Sequence, residues 1–223
     1  MERKIRTYVK RSSRVPSLAQ KDLLNEHLQN YEITFENLSE KLSKISAKKI
    51  NFEIGFGSGE HILMQALAKP DEVFIGCEPF LPGVIKLLRN IVNQKIDNIL
   101  IFNDDALDLL EKFPDDFLSE LFVLFPDPWP KTKHHKRRII SFENLELFKQ
   151  KLKTKGKILV ATDHEDYASV IIARLMKISD LHWDIKSVRD WHKPPKLWTE
   201  TKYFSKAARE GRRHYFFHFV NAK

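Results

Sequence analysis

From residue 49 onward the chain alternates between two hydrophobic rhythms. Short apolar runs occupy 50–54, 73–77, 98–102, 120–125 and 157–162, and these predict strands. Between them, residues 60–68, 83–94, 105–112 and 141–153 place apolar side chains at helical spacing. Strands alternating with helices predict an α/β fold, a parallel sheet covered on both faces. The run from His214 to Val220 reads as a terminal strand. Upstream, Leu18, Leu23, Leu24, Leu28 and Tyr31 predict an amphipathic helical lead-in. Residues 182–200 hold Trp183, Trp191, Trp198 and Pro194-Pro195, and predict only a loop-rich insertion. With no internal repeats and no Gly/Ser linker, the expected organisation is a mobile basic arm at 1–16 and one domain over 17–223.

In an open parallel sheet, ligands bind beyond the carboxyl ends of the strands. Those ends are acidic here. Glu53 precedes a glycine turn, Glu78 follows the second strand, and Asn103-Asp104-Asp105 the third. Asp127 follows the fourth strand and Asp163 the fifth. The turn itself is Phe52-Glu53-Ile54-Gly55-Phe56-Gly57-Ser58-Gly59. Strand, tight glycine turn and helix let a backbone approach a nucleotide closely. The third glycine is at 59, not at the position a dinucleotide fingerprint requires, which is Glu60. Glu53 also suits a cationic or amino-bearing ligand. Glu78 lies about 20 residues beyond the turn, where a carboxylate accepts ribose hydroxyls; its bland role is capping the next helix. Asp105 is placed either to cap a helix or to hold an adenine amino group, with Asp104 competing.

Charge changes the picture. The formal net charge of +8 is concentrated in residues 1–14, 131–138 and 202–213, which points to a polyanionic partner as well as to mere solubility. The one cysteine, Cys77, excludes an internal disulfide and fits a reducing cytoplasm. No apolar run approaches the ~20 residues of a membrane span, and the N-terminus lacks a signal-peptide core. His134 and His135 have no partners at ligand spacing, so no metal is expected.

The most specific segment is Leu124-Phe125-Pro126-Asp127-Pro128-Trp129-Pro130-Lys131. Its prolines stiffen the chain around Asp127, as preorganisation of a reacting group requires. A simple strand-ending turn would explain the prolines but not the basic run Lys131 to Arg138. Trp129 either stacks on a target base or packs beneath the turn.

The Glu-x-Gly-x-Gly-x-Gly pattern at 53–59 resembles motif I of class I S-adenosylmethionine (SAM) methyltransferases. Phe125-Pro126-Asp127-Pro128-Trp129-x-Lys131 with His135-x-Arg137-Arg138 resembles the signature of bacterial tRNA (guanine-N7-)-methyltransferases. So do Phe74-Ile75-Gly76-Cys77-Glu78-Pro79, Pro82-Gly83-Val84, Asp105-Ala106 and Ala161-Thr162-Asp163-x-x-x-Tyr167. The resemblance covers roughly 48–167 and a short C-terminal piece. It implies a Rossmann-like methyltransferase sheet, mostly parallel with a C-terminal antiparallel strand. It implies methyl transfer from SAM to N7 of a guanine in the tRNA variable loop.

By the same resemblance, Glu53, Gly55, Gly57, Gly59, Glu78, Asp105 and Asp127 would contact SAM, and Asp127 would be the catalytic acid. Lys131 and Asp163 would contact tRNA, as would Thr201; Arg137 and Arg138 are assigned to its backbone. Phe204 stands where the family has Glu, which leaves open whether position 204 makes a substrate contact. Pro130 and Cys77 also depart from the pattern and receive no role. No protein partner and no membrane partner is implied. The competing readings are a SAM methyltransferase acting on another RNA or a small molecule, an RNA-binding module with a vestigial cofactor fold, and, distantly, a nicotinamide enzyme.

Overall fold

The computed structural model describes residues 15–198, 204 and 208–223. Residues 1–14 of the expected arm at 1–16, and Thr201, lie outside them. The strands are β1 (Ile50–Ile54), β2 (Val73–Cys77), β3 (Ile99–Phe102), β4 (Leu118–Leu124), β5 (Leu152–Thr162), β6 (Leu181–Trp183) and β7 (Tyr215–Asn221). They form one sheet in the order β3-β2-β1-β4-β5-β7-β6. The first five are parallel, and β7 runs antiparallel between β5 and β6. The order reverses between β1 and β4, so the crevice for a ligand opens between Glu53 and the segment after Leu124.

The helices are α1 (Leu18–Leu23), α2 (Gln29–Tyr31), α3 (Leu38–Ile45), α4 (Glu60–Ala68), α5 (Leu81–Gln94), α6 (Ala106–Leu110), α7 (Phe142–Lys151) and α8 (Glu165–Leu175). A π-helical turn, Leu24–Leu28, joins α1 to α2. Strand alternation divides the core. Phe52, Ile75, Leu121 and Val160 face the side covered by α6, α7 and α8. Phe74, Ile99 and Ile101 face α4 and α5, and the lead-in adds Leu23, Leu24, Leu28 and Tyr31 there. Farther along that second face, Phe122, Leu159, Ala161 and Phe216 are covered by Leu124, Phe125, Trp198 and Phe204.

Three expectations need correction. The helix predicted over 141–153 stops at Lys151, because Leu152 already pairs with Leu118 and opens β5. The β4–β5 pairing shifts register between Leu118 and Glu120 of β4, and Lys155 of β5 has a left-handed backbone. The stretch 182–200 is not simply an insertion: it begins inside edge strand β6. Trp183 stacks on Phe219 at 6.1 Å, and Trp191 meets Tyr215 and Phe217 edge-on. These tryptophans therefore cap the antiparallel end of the sheet. Helices α3 and α8 are additions to the expected set.

Candidate active site

The glycine turn is built for close approach. Gly55, Gly57 and Gly59 all adopt positive φ (70°, 59° and 79°), which side-chain-bearing residues rarely do. The amide of Gly55 donates to Cys77 O at 2.8 Å, tying the turn to β2. A Cβ on Gly55 would meet nothing within 4 Å, so the backbone there faces open space. A Cβ on Gly83 would lie 2.1 Å from Gly57 O. Helix α5 thus enters against the turn's own carbonyl, and only glycine allows that approach.

Glu78, 7% exposed, locks the turn from the neighbouring strand. Its Oε2 accepts from Gly57 N at 2.7 Å and its Oε1 from Phe80 N at 2.9 Å. Burial raises its pKa, the two amides oppose that rise, and the Asp127 and Glu53 charges reinforce it. Both oxygens keep further lone pairs that can accept. Glu53 is 4% exposed and holds His61 Nδ1 at 2.7 Å. Asp105 is the N-cap of α6, its Oδ1 accepting from Leu107 N at 2.9 Å, so the capping role is present and commits one oxygen.

Asp127 lies on the other side of the crevice in a loop under backbone strain. Phe125 and Trp129, which flank it, have φ of 51° and 44°, a conformation costly for aromatic residues and characteristic of functional loops. The loop is pinned at both ends. Phe125 N donates to Ala161 O at 2.8 Å, and its ring meets Trp198 and His214. Arg138 Nε donates to Pro128 O at 2.8 Å. Asp127 itself is exposed at the crevice mouth, while the surrounding protein raises its carboxyl pKa by desolvation.

Arg138, assigned from the sequence to the tRNA backbone, is packed into the protein. It is 5% exposed, and its guanidinium lies 4.6 Å over the Tyr167 ring. Burial raises the Tyr167 hydroxyl to about 12, despite a backbone amide donated by Ile140 and the Arg138 charge. Arg138 is thus a strut beneath the Asp127 loop. Arg137 is half-buried with its guanidinium 4.8 Å over Trp129, whose edge faces His134. One face of that indole is already covered by protein. Lys131, Lys133 and Lys136 are exposed around the 3-10 turn Thr132–Arg137. Asp163 pairs with Arg212 at 3.0 Å.

Glu53, Glu78 and Asp127 are therefore gathered within electrostatic reach of one another, while Asp105 follows β3, Asp163 follows β5 and Lys131 precedes the basic turn. Sequence reasoning missed His61 and Gln65, and read Arg212 only as part of the basic cluster at 202–213. A histidine in the first helical turn after a glycine turn that an acid precedes was the available signal for His61. Among the described residues no group of three or more His, Cys, Asp or Glu is arranged to hold a metal, and no helix is long and apolar enough to cross a membrane.

A parallel sheet reversing at β1, an open glycine turn and carboxylates at successive strand ends fit the Rossmann-like fold of class I methyltransferases, and solved structures share that fold. An antibiotic-related methyltransferase aligns with TM-score 0.55 at 16% identity, covering 84% of this chain and 96% of its own. The 16S rRNA methyltransferase KamB aligns with TM-score 0.56 at 15% identity, covering 82% and 94%. The profile of the family described as "Putative methyltransferase" matches residues 46–217. A tRNA (guanine-N(7)-)-methyltransferase of Wolbachia pipientis is 43% identical over 87% of this chain and 85% of its own length. Its counterpart in Zymomonas mobilis is 38% identical over 90% and 87%. The chain belongs to the family of tRNA (guanine-N(7)-)-methyltransferases.

Proposed function

We propose that this enzyme transfers the methyl group of SAM to N7 of a guanine in the variable loop of tRNA, in the cytoplasm. The observation that carries the reading is Asp127, held in a strained loop beside Glu78 and immediately before an exposed basic turn. The relatives named above support it.

SAM supplies a methyl already activated on a sulfonium. The chain's residues fit it: carboxylates for its cationic and hydroxyl groups, and an open backbone at Gly55. In this reading Glu78 accepts the ribose hydroxyls, Glu53 faces the amino group, and Asp105 lies toward the adenine. Guanine N7 is an unprotonated lone pair, so no strong base is needed before attack. Catalysis then rests on holding N7 in line with the methyl and excluding water. The methylated ring is cationic, and the Asp127 carboxylate stabilises that developing charge. Lys131, Asp163 and Thr201 contact the target nucleotide region, and Arg137 the phosphate backbone. Pulling the base from its stack costs a few kcal/mol, which those contacts offset.

The test is incubation with labelled SAM and unmodified tRNA, followed by nucleoside analysis. N7-methylguanosine is expected. Label in another nucleoside, or only in a small molecule, would replace this reading with the alternative of a different acceptor.

A further inference from the structure

The buried hydrogen-bond chain behind Glu53 is larger than a cofactor contact requires. Glu53 Oε2 meets His61 Nδ1 at 2.7 Å, and His61 is 1% exposed. The other ring nitrogen, Nε2, faces Gln65 Nε2 at 3.3 Å. That same amide nitrogen donates to Leu197 O at 2.8 Å. A carbonyl oxygen only accepts, so Gln65 must present its NH₂ here and not its oxygen. Its second hydrogen then points to His61 Nε2, which accepts. The proton therefore sits on His61 Nδ1 and is donated to Glu53. The direction of every bond follows from one backbone carbonyl.

The far end of this chain is functional territory. Leu197 is followed by Trp198, whose ring lies 5.7 Å from His61, 6.1 Å from Phe125 and 4.9 Å from Phe216. Phe125 opens the strained loop that bears Asp127, and Thr201 lies just beyond Trp198 in the sequence. His61 also meets Phe122 of β4 edge-on at 4.9 Å. One imidazole thus touches the acid of the cofactor side, the strand leading to Asp127 and the segment leading to Thr201.

Resting on the proposed methyltransferase reading, we infer that His61 and Gln65 are positioning residues with divided tasks. His61 fixes the Glu53 carboxylate for the cofactor's amino group. Gln65 tethers the Leu197–Trp198 segment, which packs on Phe125 of the Asp127 loop, to the same helix. Both halves of the site are thereby registered on α4.

The test uses the full chain and four proteins: wild type, His61→Leu, His61→Asn and Gln65→Leu. SAM affinity is measured by calorimetry, kcat and KM for tRNA by steady-state kinetics, and folding by thermal melting. His61→Leu should lose at least about tenfold in SAM affinity, the effect of removing a hydrogen bond to a buried charge. His61→Asn carries an amide N–H toward Glu53 and should recover most of that loss. Gln65→Leu should hold SAM affinity within about twofold while raising KM for tRNA roughly fivefold or more. His61→Asn binding SAM no better than His61→Leu would overturn the first task. Equal loss of SAM affinity and of tRNA KM in Gln65→Leu, or neither, would overturn the second. If His61→Leu does not fold, His61→Asn against wild type decides: SAM affinity within a fewfold of wild type supports the inference, and a tenfold loss opposes it. If the wild type binds SAM but methylates another acceptor, the functional reading fails while calorimetry still judges His61, and KM is taken on that acceptor.

Discussion

The two sides of the crevice are built on opposite plans. On one side, Glu53, Glu78 and Asp105 are buried carboxylates already held by protein donors, above a backbone whose tight turns fall on glycines. On the other side, Asp127 is exposed, the tight turns fall on Phe125 and Trp129, and arginines and aromatic rings hold them in place. In the proposed function the first side takes the cofactor and the second the tRNA, and the difference follows from those ligands. A small cofactor can be enclosed, so its partners are preorganised by burial. A macromolecule must enter from solvent, so its reacting group stays at the mouth, and rigidity has to come from strain clamped at both ends.

The largest effect expected of this contrast is at Asp127. Asp127→Ala should lower single-turnover methyl transfer by at least about 100-fold, or about 2.7 kcal/mol of barrier. SAM affinity should change little by comparison. Asp127→Asn separates charge from shape. If its rate stays near wild type, Asp127 anchors the base and stabilises no charge. Desolvation raises the folded-state pKa of this carboxyl, so ionisation opposes folding above that value. Asp127→Asn should therefore melt no lower than wild type at neutral pH, which differential scanning calorimetry checks.

The cofactor side breaks differently. Gly83→Ala drives a methyl group into Gly57 O, and backbone on one side must move. Overpacking of this kind costs about 1–3 kcal/mol. Because the displaced atoms belong to the turn, SAM affinity should fall by roughly tenfold or more with a lower melting temperature. Calorimetry finding wild-type affinity would mean that the approach of α5 to the turn is not part of the site.

A smaller effect separates the sides by pH. Glu78 and Asp127 both have raised pKa values, so both protonate at a less acid pH than ordinary carboxyls. SAM affinity should weaken as pH falls through the Glu78 value, and kcat as it falls through that of Asp127. In Asp127→Asn the acid limb should vanish from kcat and persist in SAM affinity. A limb that stays in both would assign the titration elsewhere.

How much of this was readable from residues alone follows the same division. The parallel strands announce themselves because strands buried on both faces must be continuously apolar, and the terminal strand was visible for the same reason. The glycine turn was legible because only glycine tolerates that backbone. Left-handed Phe125 and Trp129 were not, since no local rule assigns positive φ to aromatic residues; it is imposed by Ala161, Trp198 and Arg138 from elsewhere in the fold. Strand β6 is three residues long and carries no periodicity to detect. Arg138 misled because a basic run looks uniform in one dimension. Only the fold turns one arginine onto Tyr167 and leaves its neighbours outside.

That last distinction yields the smallest and most discriminating effect. Lys131→Ala and Arg137→Ala should each flatten the salt dependence of tRNA binding, by a slope of roughly 0.7–0.9 in log affinity against log salt. Lys131→Ala should also slow turnover, because Lys131 lies close after Asp127. Arg138→Ala should leave the salt slope at its wild-type value, since a buried guanidinium releases no counterion from a phosphate. Instead it should lower thermal stability by about 1–3 kcal/mol, the cost of leaving Pro128 O without its charged donor. With the loop's clamp removed, kcat should fall while SAM affinity holds. A reduced salt slope in Arg138→Ala would return that residue to the tRNA surface and make the whole basic run one electrostatic strip. An unchanged slope in all three variants would instead move tRNA binding away from residues 131–138 altogether.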